Sequence, residues 1–128
     1  MNNIFGIGTD IVEISRIKIA LGKNKNFKKK MYSFFEIKTT DTKFNKVASY
    51  AKKFAAKEAF SKALGTGISN GISFNEISIV NNSNGKPCIE LLGKTKTIVS
   101  RILKKKYKIF LSLSDEKKYA LSMVVISY

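Results

Sequence analysis

The sequence contains no histidine, one cysteine and one proline. The absence of histidine excludes catalytic Ser–His and Cys–His pairs, and it also excludes histidine-ligated metal ions. Catalysis would then depend on carboxylates, on lysines or on a bound metal ion. The single cysteine, Cys88, cannot form an internal disulfide bond, which favours a reducing compartment.

Long apolar runs are absent as well. No run approaches the ~18 residues that a membrane helix needs, and Asp10 and Glu13 precede the first basic residue, unlike in a signal peptide. We therefore expect a soluble, cytoplasmic protein without membrane insertion. The 128 residues fit one domain spanning residues 1–128, and an apolar content of 44% is ordinary for a globular protein.

Acidic residues are scarce, with 9 Asp and Glu against 24 Lys and Arg and a net charge of +15. Two tracts carry basic residues without any acid, one between Glu13 and Glu36 and the other between Glu90 and Asp115. Such tracts indicate an anionic partner, which could be nucleic acid, an anionic membrane, an acidic protein or a phosphorylated small molecule. A solvated lysine surface is the alternative interpretation.

The first half of the chain predicts one strand and a helical region. Residues Ile4 to Val12 read as a strand that ends near Asp10, and a basic, irregularly helical stretch follows from about Ile14 to Thr40. The clearest element is the Ala-rich helix from Asn45 to Leu64, which the next residue, a glycine, ends.

The second half predicts mainly strands. FNEISIV alternates in polarity, NNSNGKP is rich in turn residues and CIELL reads as a returning strand. A short helix from Lys94 to Lys105 precedes two last strands, YKIFLSLS and YALSMVVIS, which a polar DEKK turn separates. This order predicts an α+β domain with a mostly antiparallel sheet packed on one long helix.

The long helix places a carboxylate among apolar side chains. Val47, Ala51 and Phe54 fall within about 60° of one another at 100° per residue, and Glu58 lies in the middle of this stripe. A carboxylate in such surroundings needs a proton, a partner or a bound cation. Lys62, about one turn later, is close enough to pair with it, so a plain helix salt bridge is the alternative.

Three glycine-containing segments match phosphate-binding loops only in part. The third glycine of GxGxxG is replaced by Ile11 in one segment and by Asn70 in another, and Cys88 stands where a Walker A loop would begin. These departures exclude the standard nucleotide-binding loops. Gly65–Gly67 can still let backbone N–H groups approach an anion closely, with Lys62 one turn away.

Asp10 and Glu58 together suggest a metal site. Two carboxylates and several phosphate oxygens suit octahedral Mg²⁺, which favours few protein ligands together with water and substrate phosphates. The residues alone therefore predict a site that handles phosphate with the help of Mg²⁺.

Two segments carry a recognisable pattern, GIGTDIVEISRI near the N terminus and FAAKEAFSKALGTGI in the long helix. They resemble the signature segments of the holo-[acyl-carrier-protein] synthases, the small bacterial 4'-phosphopantetheinyl transferases. GISFNEISIVNNSNGKPCIEL and SLSDEKKYALSMVVI also look like later strands of that family. The resemblance implies transfer of the phosphopantetheine arm of coenzyme A to a serine of apo acyl carrier protein in fatty acid biosynthesis, with release of adenosine 3',5'-bisphosphate.

The resemblance also implies roles for individual residues. Asp10 and Glu58 stand at the family's metal-ligand positions and would hold Mg²⁺, Glu58 is the best available base for the serine, and Lys62 would stabilise charge on the phosphates. The residues expected against coenzyme A are Lys46, Lys53, Lys62, Gly65, Thr66, Gly67, Ile68, Lys86 and Pro87.

The carrier protein and the oligomeric state follow from the same resemblance. Acyl carrier proteins are small and acidic, and Arg16 aligns with a family arginine that docks them, with Lys23, Lys25 and Lys28 as expected helpers. Family members are commonly homotrimers with the coenzyme between adjacent subunits, so we expect a homotrimer.

Three positions depart from the family pattern. Asp115 stands where many members carry histidine, and Lys53 replaces an arginine that can contact phosphate through two parallel hydrogen bonds. The usual acidic cluster before the long helix is reduced around Glu36. These differences concern coenzyme binding and leave the metal pair intact.

Two other functions fit parts of the sequence. The first is a basic nucleic-acid-binding module in which Phe27, Tyr32, Phe34 and Phe35 stack on bases, although arginine is scarce for that purpose. The second is a structural partner of an acidic protein with a degenerate site. We expect no nucleic acid as partner, because aromatic residues at this density are more often part of the core and because the family resemblance covers nearly the whole chain.

Overall fold

The computed structural model describes residues 3–65 and 71–128, and its elements form an α+β fold, as predicted. Their bounds are β1 Ile4–Glu13, α1 Ile14–Lys23, α2 Lys25–Met31, α3 Phe34–Thr40, α4 Lys46–Leu64, a 3₁₀ turn Phe74–Glu76, β2 Ile77–Asn81, β3 Pro87–Leu91, α5 Gly93–Leu103, β4 Lys108–Asp115 and β5 Tyr119–Ser127. The long helix, the irregular helical stretch before it and both hairpins are therefore confirmed.

The strands pair antiparallel, as predicted, but they divide into two sheets. One sheet has the order β1-β5-β4 and the other consists of β2 and β3. The predicted end of the first strand was wrong, because Asp10 pairs with Ser122 inside β1 and the pairing continues to Glu13. Phe74–Glu76 also differs from the predicted strand, since these residues close a 3₁₀ turn before β2 starts.

Helix α4 packs directly on the backbone of β1. A Cβ atom at Gly6 would collide with the carbonyl oxygen of Ala63, and one at Gly8 would collide with that of Ala59. Only glycine permits such a close approach of strand and helix, and the alanines of α4 keep the helix surface equally flat. The two glycines are thus required for packing, and they determine the position of β1 along the axis of α4.

A buried ion pair joins α4 to its neighbours. The ammonium of Lys57 lies 2.7 Å from Oε1 of Glu36 in α3, and neither side chain is exposed. Lys57 also donates to the carbonyl oxygens of Phe74 and Ile77, and Oε2 of Glu36 accepts a hydrogen bond from the backbone N–H of Ile79. Three elements, α3, α4 and β2, are therefore held together by one network.

The three-stranded sheet has two different faces. One face packs on α4 and contains buried residues such as Val12 and Val124. The opposite face is exposed and carries several large apolar side chains, among them Ile7, Ile11, Phe110, Leu121 and Met123. An exposed apolar surface of this kind is typical of a contact with another molecule. No helix in residues 3–65 or 71–128 combines the length and apolarity that crossing a membrane requires.

Candidate active site

Asp10 lies between two points where β1 contacts α4. Side chains alternate along a strand, so Asp10 shares the helix-facing side of β1 with Gly8 and Val12. Gly8 meets α4 at Ala59, and Val12 belongs to the buried cluster that contains Ala55. The carboxylate of Asp10 is consequently held beside the turn of α4 that precedes Ala59.

Lys62 completes a link between β1 and α4. Its ammonium donates to the backbone oxygen of Thr9 at 3.0 Å and lies 3.2 Å from Oδ1 of Asp10. The side chain of Lys62 is 56% exposed, whereas that of Asp10 is only 16% exposed. The plain helix salt bridge between Glu58 and Lys62 is therefore replaced by an ion pair across the two elements, with the cation open to solvent.

Glu58 carries the third charge of this group. Burial raises the pKa of Glu58 above the ordinary carboxyl value, the negative charge of Asp10 raises it further, and Lys62 lowers it. The two carboxylates are thus close enough to repel each other, although they are 48 positions apart in the chain. The structure brings together Asp10, Glu58 and Lys62, the three residues with predicted metal-binding or catalytic roles. A carboxylate with a raised pKa is a stronger base.

The donor set fits Mg²⁺ when phosphate supplies further ligands. Repulsion between Asp10 and Glu58 would be relieved by a cation between them, and both offer the oxygen donors that Mg²⁺ prefers. Among residues 3–65 and 71–128, no cluster of three or more His, Cys, Asp or Glu side chains could hold a metal ion. The carboxylate pair therefore matches a metal site at which substrate phosphates and water supply the remaining ligands, and not a site formed by protein ligands alone.

A second candidate region is a cleft of about 420 Å³ between α3, α4, β2 and β4. Of the residues predicted to contact coenzyme A, it contains Lys53 and Pro87. Five polar residues of the wall were missed by sequence reasoning, namely Thr39, Lys43, Ser49, Lys52 and Asn81. The spacing along the long helix could have revealed Ser49, because it lies four positions before Lys53 and therefore on the same side of the helix.

Lys53 is the half-buried cation of this cleft. Its ammonium donates a hydrogen bond to Oγ of Ser49 at 2.9 Å. Burial lowers the pKa of Lys53 to about 8, and the positive charge of Lys43 contributes in the same direction, while Glu36 opposes it. An anion in the cleft would relieve this repulsion among cations, so the cleft is suited to phosphate groups.

Asp115 contacts the same cleft through Lys52. Oδ1 of Asp115, at the end of β4, lies 3.2 Å from the ammonium of Lys52. The departure from the family's histidine therefore leads to an ion pair at the edge of the cleft. Asp115 partly neutralises one of the cleft lysines and leaves Lys43 and Lys53 as the cations without a carboxylate in contact among the described residues.

The other residues predicted to contact coenzyme A lie elsewhere or outside the described residues. Lys46 is exposed at the start of α4 and Lys86 is exposed in the turn before β3, and neither lines the cleft. Gly65 ends α4 with a φ of 88°, a conformation that glycine adopts without strain. Thr66, Gly67 and Ile68 lie outside the described residues.

The residues predicted to dock the carrier protein lie on α1 and α2. Arg16, Lys23 and Lys25 are exposed, whereas Lys28 is ion-paired with Asp41 at 3.1 Å. The same region exposes Ile19, an apolar side chain that charge patterns could not indicate. The predicted docking surface is thus more varied than a set of free cations.

The aromatic residues proposed for nucleic-acid stacking are divided by the fold. Tyr32 is buried, and Phe27 packs edge-on against it with ring centroids 6.2 Å apart. Phe34 and Phe35 are exposed. Two of the four aromatic rings therefore belong to the interior, which weakens the case for a base-stacking surface.

Known proteins resemble this chain over almost its entire length. The model of the 4'-phosphopantetheinyl transferase superfamily matches residues 6–124. A holo-[acyl-carrier-protein] synthase of Pelagibacter ubique is 46% identical over 124 residues, which are 96% of each chain. The crystal structure of holo-[acyl-carrier-protein] synthase from Neisseria meningitidis superposes with a TM-score of 0.86 at 35% identity, covering 98% of this chain and 99% of that one.

A further solved structure contains a ligand. It is the holo-(acyl-carrier-protein) synthase from Bacillus anthracis in complex with CoA (3',5'-ADP), with a TM-score of 0.79 and 32% identity. The match covers 98% of this chain and 97% of that one. Sequence and fold therefore agree on the same set of relatives.

Proposed function

The chain belongs to the 4'-phosphopantetheinyl transferase superfamily, as a member of the holo-[acyl-carrier-protein] synthases, and on this premise we propose a Mg²⁺-dependent reaction at Asp10, Glu58 and Lys62. The enzyme transfers phosphopantetheine. In the proposed reaction the 4'-phosphopantetheine of coenzyme A moves to a serine of apo acyl carrier protein for fatty acid biosynthesis in the cytoplasm. The observation that carries the proposal is the convergence of two carboxylates and one exposed lysine from β1 and α4.

Phosphoryl transfer depends on positioning and electrostatics, so a protein without histidine can catalyse it. The carboxylate of Glu58 takes the proton of the serine hydroxyl, because it is the proton acceptor beside Asp10 and Lys62. The serine oxygen forms a bond to the phosphorus next to the pantetheine arm. The bond from that phosphorus to the bridging oxygen breaks, and adenosine 3',5'-bisphosphate leaves with the electron pair.

Lys62 and Asp10 act on the charges that develop in this step. The ammonium of Lys62 is exposed on one side and can donate to the phosphate oxygens, while Thr9 and Asp10 orient it from the other side. Asp10 and Glu58 would hold Mg²⁺, which when bound supplies positive charge that offsets negative charge on the pyrophosphate.

We also propose that the enzyme is a homotrimer in which two subunits share each site. On α4, Ser49 and Lys53 lie about 180° and 140° from Glu58 around the helix axis at 100° per residue. The lysine cleft and the carboxylate pair thus belong to opposite sides of one helix. A coenzyme bound in the cleft of one subunit could contact the carboxylates of an adjacent subunit. It would then not have to extend around α4 to reach both regions.

The exposed apolar face of the three-stranded sheet supports assembly. Its isoleucine, leucine, methionine and phenylalanine side chains would be removed from water in a subunit contact, which lowers the free energy of the assembly. A mixture of Glu58→Gln and Lys53→Met subunits tests the sharing of sites. At low coenzyme A concentration, mixed oligomers should be more active than the sum of the two variants measured separately, and no such increase would contradict a shared site.

The basic surface of α1 and α2 is proposed to dock the acidic carrier. Arg16, Lys23 and Lys25 are exposed for this purpose, and the net charge of +15 would accelerate association at low salt. Lys28 would contribute less, because Asp41 already neutralises it.

Intact-mass spectrometry of an apo acyl carrier protein tests the proposed function. Incubation with this protein, coenzyme A and Mg²⁺ should add one phosphopantetheine to the carrier and release adenosine 3',5'-bisphosphate. Chelation of the metal, Glu58→Gln or Asp10→Asn should each abolish the mass gain while the protein stays folded. An unchanged carrier across several acceptor proteins would refute the proposal, and full activity after chelation would refute its metal dependence.

A further inference from the structure

Two neighbouring phenylalanines at the start of α3 face different cavities. Phe35 is 51% exposed and lines the lysine cleft. Phe34 is 83% exposed and lines a separate apolar groove next to Leu92 and Gly93. Exposing a phenylalanine ring to water is unfavourable, so a half-exposed ring in the wall of a ligand cleft suggests a contact with the ligand.

The backbone that carries Phe35 is held rigidly. The next residue, Glu36, is fully buried, and its side chain accepts from the backbone N–H of Ser33 while the hydroxyl of Ser33 accepts from the backbone N–H of Glu36. Glu36 also contacts Lys57 in α4 and Ile79 in β2, and Ile79 is itself part of the cleft wall. The ring of Phe35 is therefore held at the cleft with little freedom of its backbone.

The cleft wall separates into a cationic part and an apolar part. Lys43, Lys52 and Lys53 supply the positive charge, and the uncharged polar residues of the wall are Thr39, Ser49 and Asn81. The apolar part consists of Phe35, Ile79, Val80, Pro87 and Leu113. A ligand that suits both parts carries phosphate groups and a flat apolar surface at the same time, which describes a nucleotide.

We propose that Phe35 is the stacking platform for the base of the nucleotide half of coenzyme A and that it sets the affinity for that half. The inference rests on the proposed function and adds a residue to its coenzyme site. Aromatic rings stack on the faces of nucleobases, and this stacking tolerates different bases because each has a π-face. Among the described residues, Phe35 is the aromatic side chain that lines the cleft.

Titration calorimetry of the full-length protein with adenosine 3',5'-bisphosphate tests this role. Phe35→Ala should weaken binding by about 5- to 100-fold, the range expected for loss of one base–aromatic contact. Phe35→Leu should lose nearly as much, because leucine keeps apolar area but cannot stack, while Phe35→Tyr should retain affinity. Phe34→Ala is the matched control, since it removes a neighbouring exposed ring from another cavity, and it should bind like the unmodified protein.

Inorganic pyrophosphate is the second probe, and its binding should be equal in all of these variants because it has no base. Unchanged affinity of Phe35→Ala for adenosine 3',5'-bisphosphate, or full affinity of Phe35→Leu, would overturn the stacking role. A change in molecular mass by light scattering in Phe35→Ala would also overturn it, because the ring would then belong to a subunit contact. If the unmodified protein transfers phosphopantetheine, these results refute the inference alone; if it neither transfers nor binds, the proposed function fails with it.

Discussion

Two lysines five positions apart on α4 have opposite surroundings. Lys57 is fully buried, pairs with Glu36 at 2.7 Å and donates to two backbone carbonyl oxygens. Lys62 is 56% exposed and reaches Asp10 at 3.2 Å with one side of its ammonium open. Every hydrogen bond that Lys57 can donate is used within the protein, whereas Lys62 retains the capacity to bind an anion. Burial and satisfied partners thus indicate a structural cation, and exposure beside carboxylates indicates a functional one.

The largest effect is expected when the buried pair is broken. Lys57→Met should lower the free energy of unfolding by about 3–5 kcal/mol, because it leaves Glu36 charged, buried and without its partner. Urea denaturation followed by circular dichroism measures this. Adding Glu36→Gln should restore part of the loss, since no charge then remains buried. A loss below ~1 kcal/mol for Lys57→Met would show that the network contributes little.

The exposed lysine should give the converse result. Lys62→Met should change the free energy of unfolding by less than ~1 kcal/mol, as is usual for an exposed ion pair. Its transfer rate should fall by about 10²-fold, because a donor to the developing phosphate charge is lost. Single-turnover mass spectrometry measures the rate. Lys96→Met, which removes the same charge from an exposed position of α5, should transfer at the original rate. A transfer rate unaffected by Lys62→Met would contradict the functional role of Lys62.

Lys53 is half-buried and so intermediate in exposure between Lys57 and Lys62. The effect expected from loss of its charge is the smallest of the three. Its pKa is lowered to about 8, so the side chain is charged below that pH and becomes neutral as pH rises through it. Affinity for adenosine 3',5'-bisphosphate should accordingly fall by about 5-fold between pH 7 and pH 9, equivalent to about 1 kcal/mol. Lys53→Arg stays charged throughout this range and should bind equally at both pH values. An identical pH dependence in Lys53→Arg would assign the titration to another group.

Much of the fold could be predicted because its signals are local. The alanine-rich composition and Gly65 predict the long helix, and the turn residues between two alternating segments predict the hairpin of β2 and β3. The end of β1 could not be predicted in this way. The sequence pattern predicted a strand end near Asp10, but pairing with β5 continues past Asp10, and Gly6 and Gly8 are required by contact with α4.

Part of the candidate site could be found from the sequence, and part could not. Asp10, Glu58 and Lys62 were predicted from carboxylate chemistry and from the resemblance to a family, and the fold brings them together. Glu36 was interpreted as the remnant of an acidic cluster. Its pairing with Lys57 was missed because the two residues are 21 positions apart in the chain. Two cleft lysines, Lys43 and Lys52, were missed because the cleft and the ion pair of Lys52 with Asp115 form only when distant segments pack together.

The amino-acid sequence by itself determined the types of elements and the residues able to perform the chemistry, because periodicity, capping and side-chain ionisation depend on near neighbours. The tertiary structure alone decided which lysine is buried, which is open to an anion and which of two adjacent phenylalanines faces the cleft. Burial and partner choice depend on segments distant in the chain, whose approach is governed by the packing of β1, α3 and β2 on α4. Desolvation and satisfied hydrogen bonds then give chemically identical side chains different roles.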